Sequence, residues 1–153
     1  MSPAASKPAP TALEHAFVVT LAGGPPIGAF LELSGLGVQI AVHEYAEGGA
    51  NYGTWKLPGR VTHSNVTLRR GVTNQAIFFD WANSTSIESR DVLLFFVGPD
   101  RRALHKFALT AAYPASWSGP SANIGASSAA TESLEIAHHG IVRVGGYQSV
   151  PGV

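Results

Sequence analysis

Glu132, Glu135 and His138 are the residues whose types and spacing come nearest to a chemical site. They stand three apart in ESLEIAHH. On a helix they would project from one side, as the carboxylate and imidazole ligands of bridged metal centres do. In a strand, residues three apart point to opposite faces. Leu134 and Ile136 alternate with Ser133, Glu135 and Ala137, which favours a strand. A full metal site would also need ligands from a second helix, and none is visible. The segment reads as a strand whose Glu and His side chains hydrogen-bond at a subunit or solvent face.

The remaining candidates are weaker. His15, His43, His63 and His105 are scattered, with no ligand partner at a recognisable spacing. They read as surface or interface histidines. Nucleophile-elbow and phosphate-loop motifs are absent. Asp80 falls on the polar face of an expected helix beside Trp81. No two carboxylates are marked as a general acid and base. Arg101 and Arg102 lie on a turn, and Arg69-Arg70 at a strand end. Solvated positions explain both pairs before anion binding does. No catalytic residue, cofactor or metal is expected.

Composition points the same way. The 153 residues suffice for one domain with a core. Charged residues make up 13%, against roughly 25% in an ordinary soluble domain. A surface short of charge is covered by protein or by Ser, Thr and Asn. The formal net charge is zero, so nothing favours a grip on nucleic acid or an anionic membrane. Zero net charge favours self-association. There is no cysteine, hence no disulfide framework. The longest apolar run, Val92 to Val97, is far short of a membrane span, and no membrane anchor is expected. Residues 1–13, rich in Pro and Ala, read as a disordered or extended leader, residues 14–147 as the domain, and 148–153 as a loose tail.

Period-two alternation predicts strands over Phe17–Ala22, Ala29–Ser34, Val38–Val42 and Val61–Arg70. Asn74 is the expected N-cap of a helix reaching about Asn83, with Ile77, Phe78 and Trp81 on one stripe. Asp91–Val97 reads as a strand covered on both faces. The turn GPDRR joins it to a partner at Leu104–Ala112. A long polar connection follows from Tyr113. Thr131–Val144 is the last strand region. The sum is mainly β with one short α-helix, a sandwich or partly closed barrel.

The segment EYAEGGANYGTWKLPGR, residues 44–60, fits none of these elements. A tight hairpin needs about two to five connecting residues. This connection is longer, glycine-rich, and carries Tyr45, Tyr52 and Trp55. As an arm it would bury those aromatics against another subunit. The alternation of Thr54 and Lys56 against Trp55 and Leu57 would let the distal arm pair as a strand across that contact. As a lid it would close over the pocket of a monomeric β-barrel that binds a small ligand.

The order and spacing of several short pieces resemble a known family. They are Ser34-Gly35-Leu36, Glu47-Gly48-Gly49 with Asn51, Leu57-Pro58-Gly59, Leu68-Arg69-Arg70-Gly71, Pro114, Trp117 and Glu132-Ser133-Leu134-Glu135. Together, over Phe17–Val144, they resemble the tail tube proteins of contractile bacteriophages. They are especially similar to the inner tube subunits of phage-like extracellular contractile injection systems. The ring-forming tube protein of type VI secretion shares the architecture. The resemblance implies a β-barrel-like subunit, hexameric rings, and stacking into a hollow tube inside a contractile sheath. It implies no catalysis. Implied partners are further copies of the chain, a sheath protein, baseplate and spike or tube-cap proteins, and protein or DNA cargo. Assembly in the cytoplasm would precede incorporation into a virion tail or a released injection particle. The stacking arm would comprise Tyr45, Glu47, Gly48, Gly49, Asn51, Tyr52, Trp55, Leu57, Pro58 and Gly59. Arg69, Arg70, Glu132 and Glu135 are further interface candidates. Strands near Val61–Arg70 and Thr131–Val144 are expected to approach the channel.

Overall fold

Alternation of apolar and polar residues runs through most of the chain, and strands follow it. The computed structural model describes residues 16–46, 48–49, 53–73, 75–99, 102–120 and 130–145. The expected leader, the C-terminal tail, Asn74 and Arg101 lie outside them. In chain order the elements are β1 (Ala16–Leu21), β2 (Pro26–Phe30), β3 (Glu32–Ser34), β4 (Val38–Tyr45) and β5 (Trp55–His63). Then come β6 (Val66–Gly71), α1 (Ile77–Ala82), β7 (Arg90–Val97), β8 (Ala103–Ser118), β9 (Thr131–Ala137) and β10 (Gly140–Val144).

The main sheet runs β2-β1-β7-β8-β9-β6-β3, with β10 also beside β8. Its two ends, β2 and β3, are separated in sequence only by Leu31. The Leu31 N–H donates to the Arg69 carbonyl at 3.0 Å. The chain thus steps from one end of the sheet to the other, and the sheet returns on itself as a barrel. Closure removes edges that would otherwise invite pairing. Inside lie Val19, Ile27, Phe30, Val66, Leu68, Val92, Leu94, Leu109, Leu134 and Ile136, with Phe78 and Trp81 of α1 entering from one end. Outside this core, Phe95 and Val97 of β7 pack with Val18 and Ala103. Both faces of β7 are therefore covered, as its continuous apolar run predicts.

Four strand expectations change. Val61–Arg70 is divided at Ser64-Asn65 between β5 and β6. Ala29–Ser34 is two strands, because the crossing at Leu31 breaks it. Tyr113–Ser118 is strand rather than connection. Ala111 takes φ 47°, and there β8 bends away from β7. Beyond the bend it pairs with β9, from Tyr113↔Ala137 to Ser118↔Ser133. Pro114 sits at the irregular step in that register, where a missing N–H is tolerated. Thr131–Val144 is two strands, turned at His138-His139 so that β10 lies along the earlier part of β8. The helix is also shorter than expected. It spans six residues, and Ala76 at its N-cap makes no side-chain cap bond.

Arg70 and Glu132 require a correction. In β6, Val66, Leu68 and Arg70 face inward; in β9, Glu132, Leu134 and Ile136 do. Strand alternation therefore carries both charges into the subunit, where they pair across the ladder. Arg70 is only 2% exposed. Its Nε donates to Glu132 Oε1 at 2.5 Å, its Nη1 to the Ile27 carbonyl at 3.2 Å, and its Nη2 to the Gln75 carbonyl at 3.0 Å. The guanidinium lies 4.3 Å from the Phe78 ring centroid. Trp117 Nε1 donates to the other Glu132 oxygen at 3.4 Å. The two residues are occupied within one subunit and are not surface contacts.

Removing one member leaves the other charge buried and unpaired. E132A is expected to destabilise the subunit by about 3–5 kcal/mol, whereas the apolar pair R70M/E132L costs far less. Urea unfolding of both variants checks this. Equal losses would show that the pair is not coupled.

Candidate assembly surface

Among the described residues, β4 and β5 pair only with each other, as a separate two-stranded sheet. The ladder runs from Val38↔His63 at the base to Tyr45↔Trp55 at the far end, with a shift between Ile40 and Val42. Gly59 falls at that shift. A Cβ there would meet the His43 ring at 2.6 Å, so the close passage needs glycine. Val38, Ile40 and Val42 occupy one face with Val61 and Pro58. Tyr45, Leu57 and Trp55 occupy the other towards the tip. Val38, Ile40, Val42, Tyr45, Trp55, Leu57 and Val61 are each 50–65% exposed. A two-stranded ribbon is marginal in water. Contiguous exposed apolar surface of this kind marks an interface. The segment is thus a hairpin rather than a loose arm, and Trp55 to Leu57 pair with their own chain.

Of the expected arm residues, Tyr45, Trp55, Leu57, Pro58 and Gly59 lie on this hairpin, and Gly48 and Gly49 beyond β4. Glu47, Asn51 and Tyr52 are outside the described residues. Arg69 and Glu135 point outward. Arg69 Nη1 contacts Glu32 Oε2 at 3.1 Å, and Glu135 Oε1 accepts from Asn65 Nδ2 at 2.7 Å. Sequence reasoning missed Val38, Ile40, Val42 and Val61. Their alternation looks like that of a barrel strand, and only the lack of a further partner strand distinguishes them.

The root of the hairpin is tightly specified. Gly35 takes φ +81°, and a Cβ there would sit 2.0 Å from the Asn65 carbonyl oxygen. Ser64 N–H donates to the Gly37 carbonyl at 3.2 Å. His138 Nε2 lies 3.0 Å from the Ser64 carbonyl, which fixes that nitrogen as the donor. The His63 and His138 ring centroids are 5.6 Å apart. Among the described residues no group of three or more His, Cys, Asp or Glu could hold a metal ion. Glu132 and Glu135 lie on opposite faces of β9, as its strand geometry requires. The clefts at Trp81, Arg143 and Trp117 have no hairpin residue in their walls, which leaves a lid role for the hairpin unsupported. No helix among the described residues is long and apolar enough to cross a membrane.

Burial lowers the His138 pKa below 6.5, helped by nearby His63 and His139 and opposed by hydrogen bonds at Ser64 and Gly140. An opened root therefore takes up the proton before the closed one does. The contribution of His138 is intact above pH 6.5 and declines as pH falls below it. Hydrogen-exchange protection at the Ser64 amide, corrected for intrinsic rates, is expected to drop between neutral and mildly acidic pH. H138Q should flatten that change; the same slope in H138Q would place the titration elsewhere.

A family model described as T4-like virus tail tube protein gp19 matches residues 13–142. No curated protein matches the sequence. Among solved structures, the chain is similar to one in the PVC sheath–tube complex of an extracellular contractile injection system in its extended state. Identity is 25%, coverage 95% of each chain, and the TM-score 0.73. It is also similar to one in the PVC sheath/tube terminator, at 26% identity and a TM-score of 0.75, covering 93% of this chain and 100% of that one. Hcp1 from Flavobacterium johnsoniae shares the fold at 17% identity and a TM-score of 0.55, over 88% of this chain and 99% of its own. Since the family model spans most of the sequence, the chain belongs to the T4-like virus tail tube protein gp19 family.

Proposed function

We propose that this chain is a non-catalytic structural subunit of the inner tube of an extracellular contractile injection particle. Six copies form a ring, rings stack into a hollow tube, and the β4–β5 hairpin carries the contact from ring to ring. The observation that carries this reading is the hairpin itself, with apolar side chains on both faces and no cover from its own barrel. Stacking is a heterologous contact, one surface against a different one, and so propagates without closing. The low charge and zero net charge fit a subunit with several covered faces. Similarity to chains of a sheath–tube complex and a sheath/tube terminator supports a sheath and a tube terminator as partners.

Rings also need side-to-side contacts, for which Arg69 and Glu135 stand on outward faces. The outward positions of β6 and β9 carry Thr67, Arg69, Ser133 and Glu135. Of these, Thr67 and Ser133 are the polar, weakly binding groups that suit a channel wall past which protein or DNA cargo slides. Assembly inside the cell precedes release of the particle.

Replacing Tyr45, Trp55 and Leu57 together by Ala should leave a folded barrel with unchanged strand content that forms no tubes under negative stain. The wild-type chain at the same concentration should form them. Normal tubes from the triple variant would remove the hairpin from the stacking contact.

A further inference from the structure

At one end of the barrel, α1, the end of β1 and the start of β7 surround an open cleft of about 470 Å³. Leu21, Ile77 and Trp81 supply its apolar wall, and Asp80, Ser86 and Glu88 belong to its polar part. Trp81 is 8% exposed, and its Nε1 is buried without a hydrogen-bond partner. An indole N–H can only donate, and a buried donor without an acceptor is costly. Trp117 meets this need through Glu132. Among the described residues Trp81 has no such acceptor.

Charge in the cleft is also unbalanced. Glu88 is paired with Arg90 at 2.8 Å. Asp80 has no ion-pair partner among the described residues. On the hairpin, Lys56 stands opposite Glu44 in the ladder but forms no ion pair among the described residues. The hairpin leaves the barrel at the N-terminal end of β6, and α1 follows the C-terminal end. The two features therefore sit at opposite ends of the same strand, as the two halves of a head-to-tail contact must. The eight residues of β4 reach roughly 26 Å, enough to extend to a neighbouring copy.

We infer that the Trp81 cleft is the receptor for the hairpin tip of a second copy of this chain, in the next ring. Trp55 or Leu57 enters beside Leu21 and Ile77. Docking that turns the Trp81 ring toward the cleft lets a backbone carbonyl near Thr54 accept its Nε1–H. Lys56 faces Asp80. This rests on the stacking reading above and names the surface on which the hairpin lands.

The absence of native cysteine allows a direct test. In assembled T54C/S86C, oxidation should link successive subunits and give a ladder on a denaturing, non-reducing gel. T54C/S116C, which moves the second thiol to the neighbouring cleft at Trp117, should give none. As a second measurement, D80K and K56D should each raise the concentration needed for tube formation about tenfold through like-charge contact. The pair K56D/D80K should restore it. Tubes that form without the S86C ladder and without charge-swap rescue overturn this receptor site while leaving stacking intact. Failure of the wild-type chain to form tubes overturns the stacking reading itself.

Discussion

One guanidinium holds the subunit together. Arg70 reaches Glu132 on β9, the Ile27 carbonyl on β2 and the Gln75 carbonyl just before α1, and it lies against Phe78 within α1. A buried ion pair is weak evidence for net stability, because desolvation offsets much of the attraction. Its contribution here is geometric. Arginine presents five donors in a fixed planar fork, so satisfying three elements at once fixes their relative positions. The join between β2 and β6 is where the sheet returns on itself, and the Nη1 contact spans it. The helix has six residues and no side-chain cap, too little to persist alone. Its place over the end of the barrel depends on Phe78, Trp81 and this arginine, and with it the shape of the Trp81 cleft.

Strand alternation then divides each element between two tasks. On β6 and β9 the inward residues form the core and the Arg70–Glu132 pair, while Thr67, Arg69, Ser133 and Glu135 remain outward. The barrel thus satisfies its own interior without using its outer face. The hairpin has no interior to satisfy. Its alternation puts apolar groups on both sides, since neither side meets the rest of the subunit. This difference separates barrel from hairpin in physical terms: one closes its hydrogen bonds and core within the chain, and the other closes neither.

The sequence made some of this legible and hid the rest for identifiable reasons. The β7–β8 hairpin was plain, because a continuous apolar run flanks a proline turn. Phe78 and Trp81 were correctly placed on the inner stripe of α1. The hairpin was misread as a loose arm because Gly48, Gly49 and Gly53 dominate its composition, while its pairing partner lies in a segment that looked like a barrel strand. Tyr113–Ser118 was hidden by Pro114 and its serines, whose local preference is overridden by pairing with β9. Arg70 and Glu132 were placed on the outside because a charge is usually there. Alternation from Leu68 and Leu134 already pointed them inward, and that signal outranks residue type once the strand is known.

A two-stranded ribbon with exposed faces is marginal by itself, so on the stacking reading the order of the hairpin and the growth of the tube are one equilibrium. A free subunit must order the ribbon before burying it, and that entropy opposes the first contact. A subunit landing on an existing ring gains the cover at once. Initiation is then unfavourable and elongation favourable, which gives a preformed ring at the baseplate a clear physical role. The rigid root, set by Gly35, Asn65 and the His138 contact, limits the ordering cost to the distal ladder. With the Trp81 cleft as the receptor we infer, directionality follows as well, since hairpin and cleft lie at opposite ends of β6 and a growing end presents only one of them.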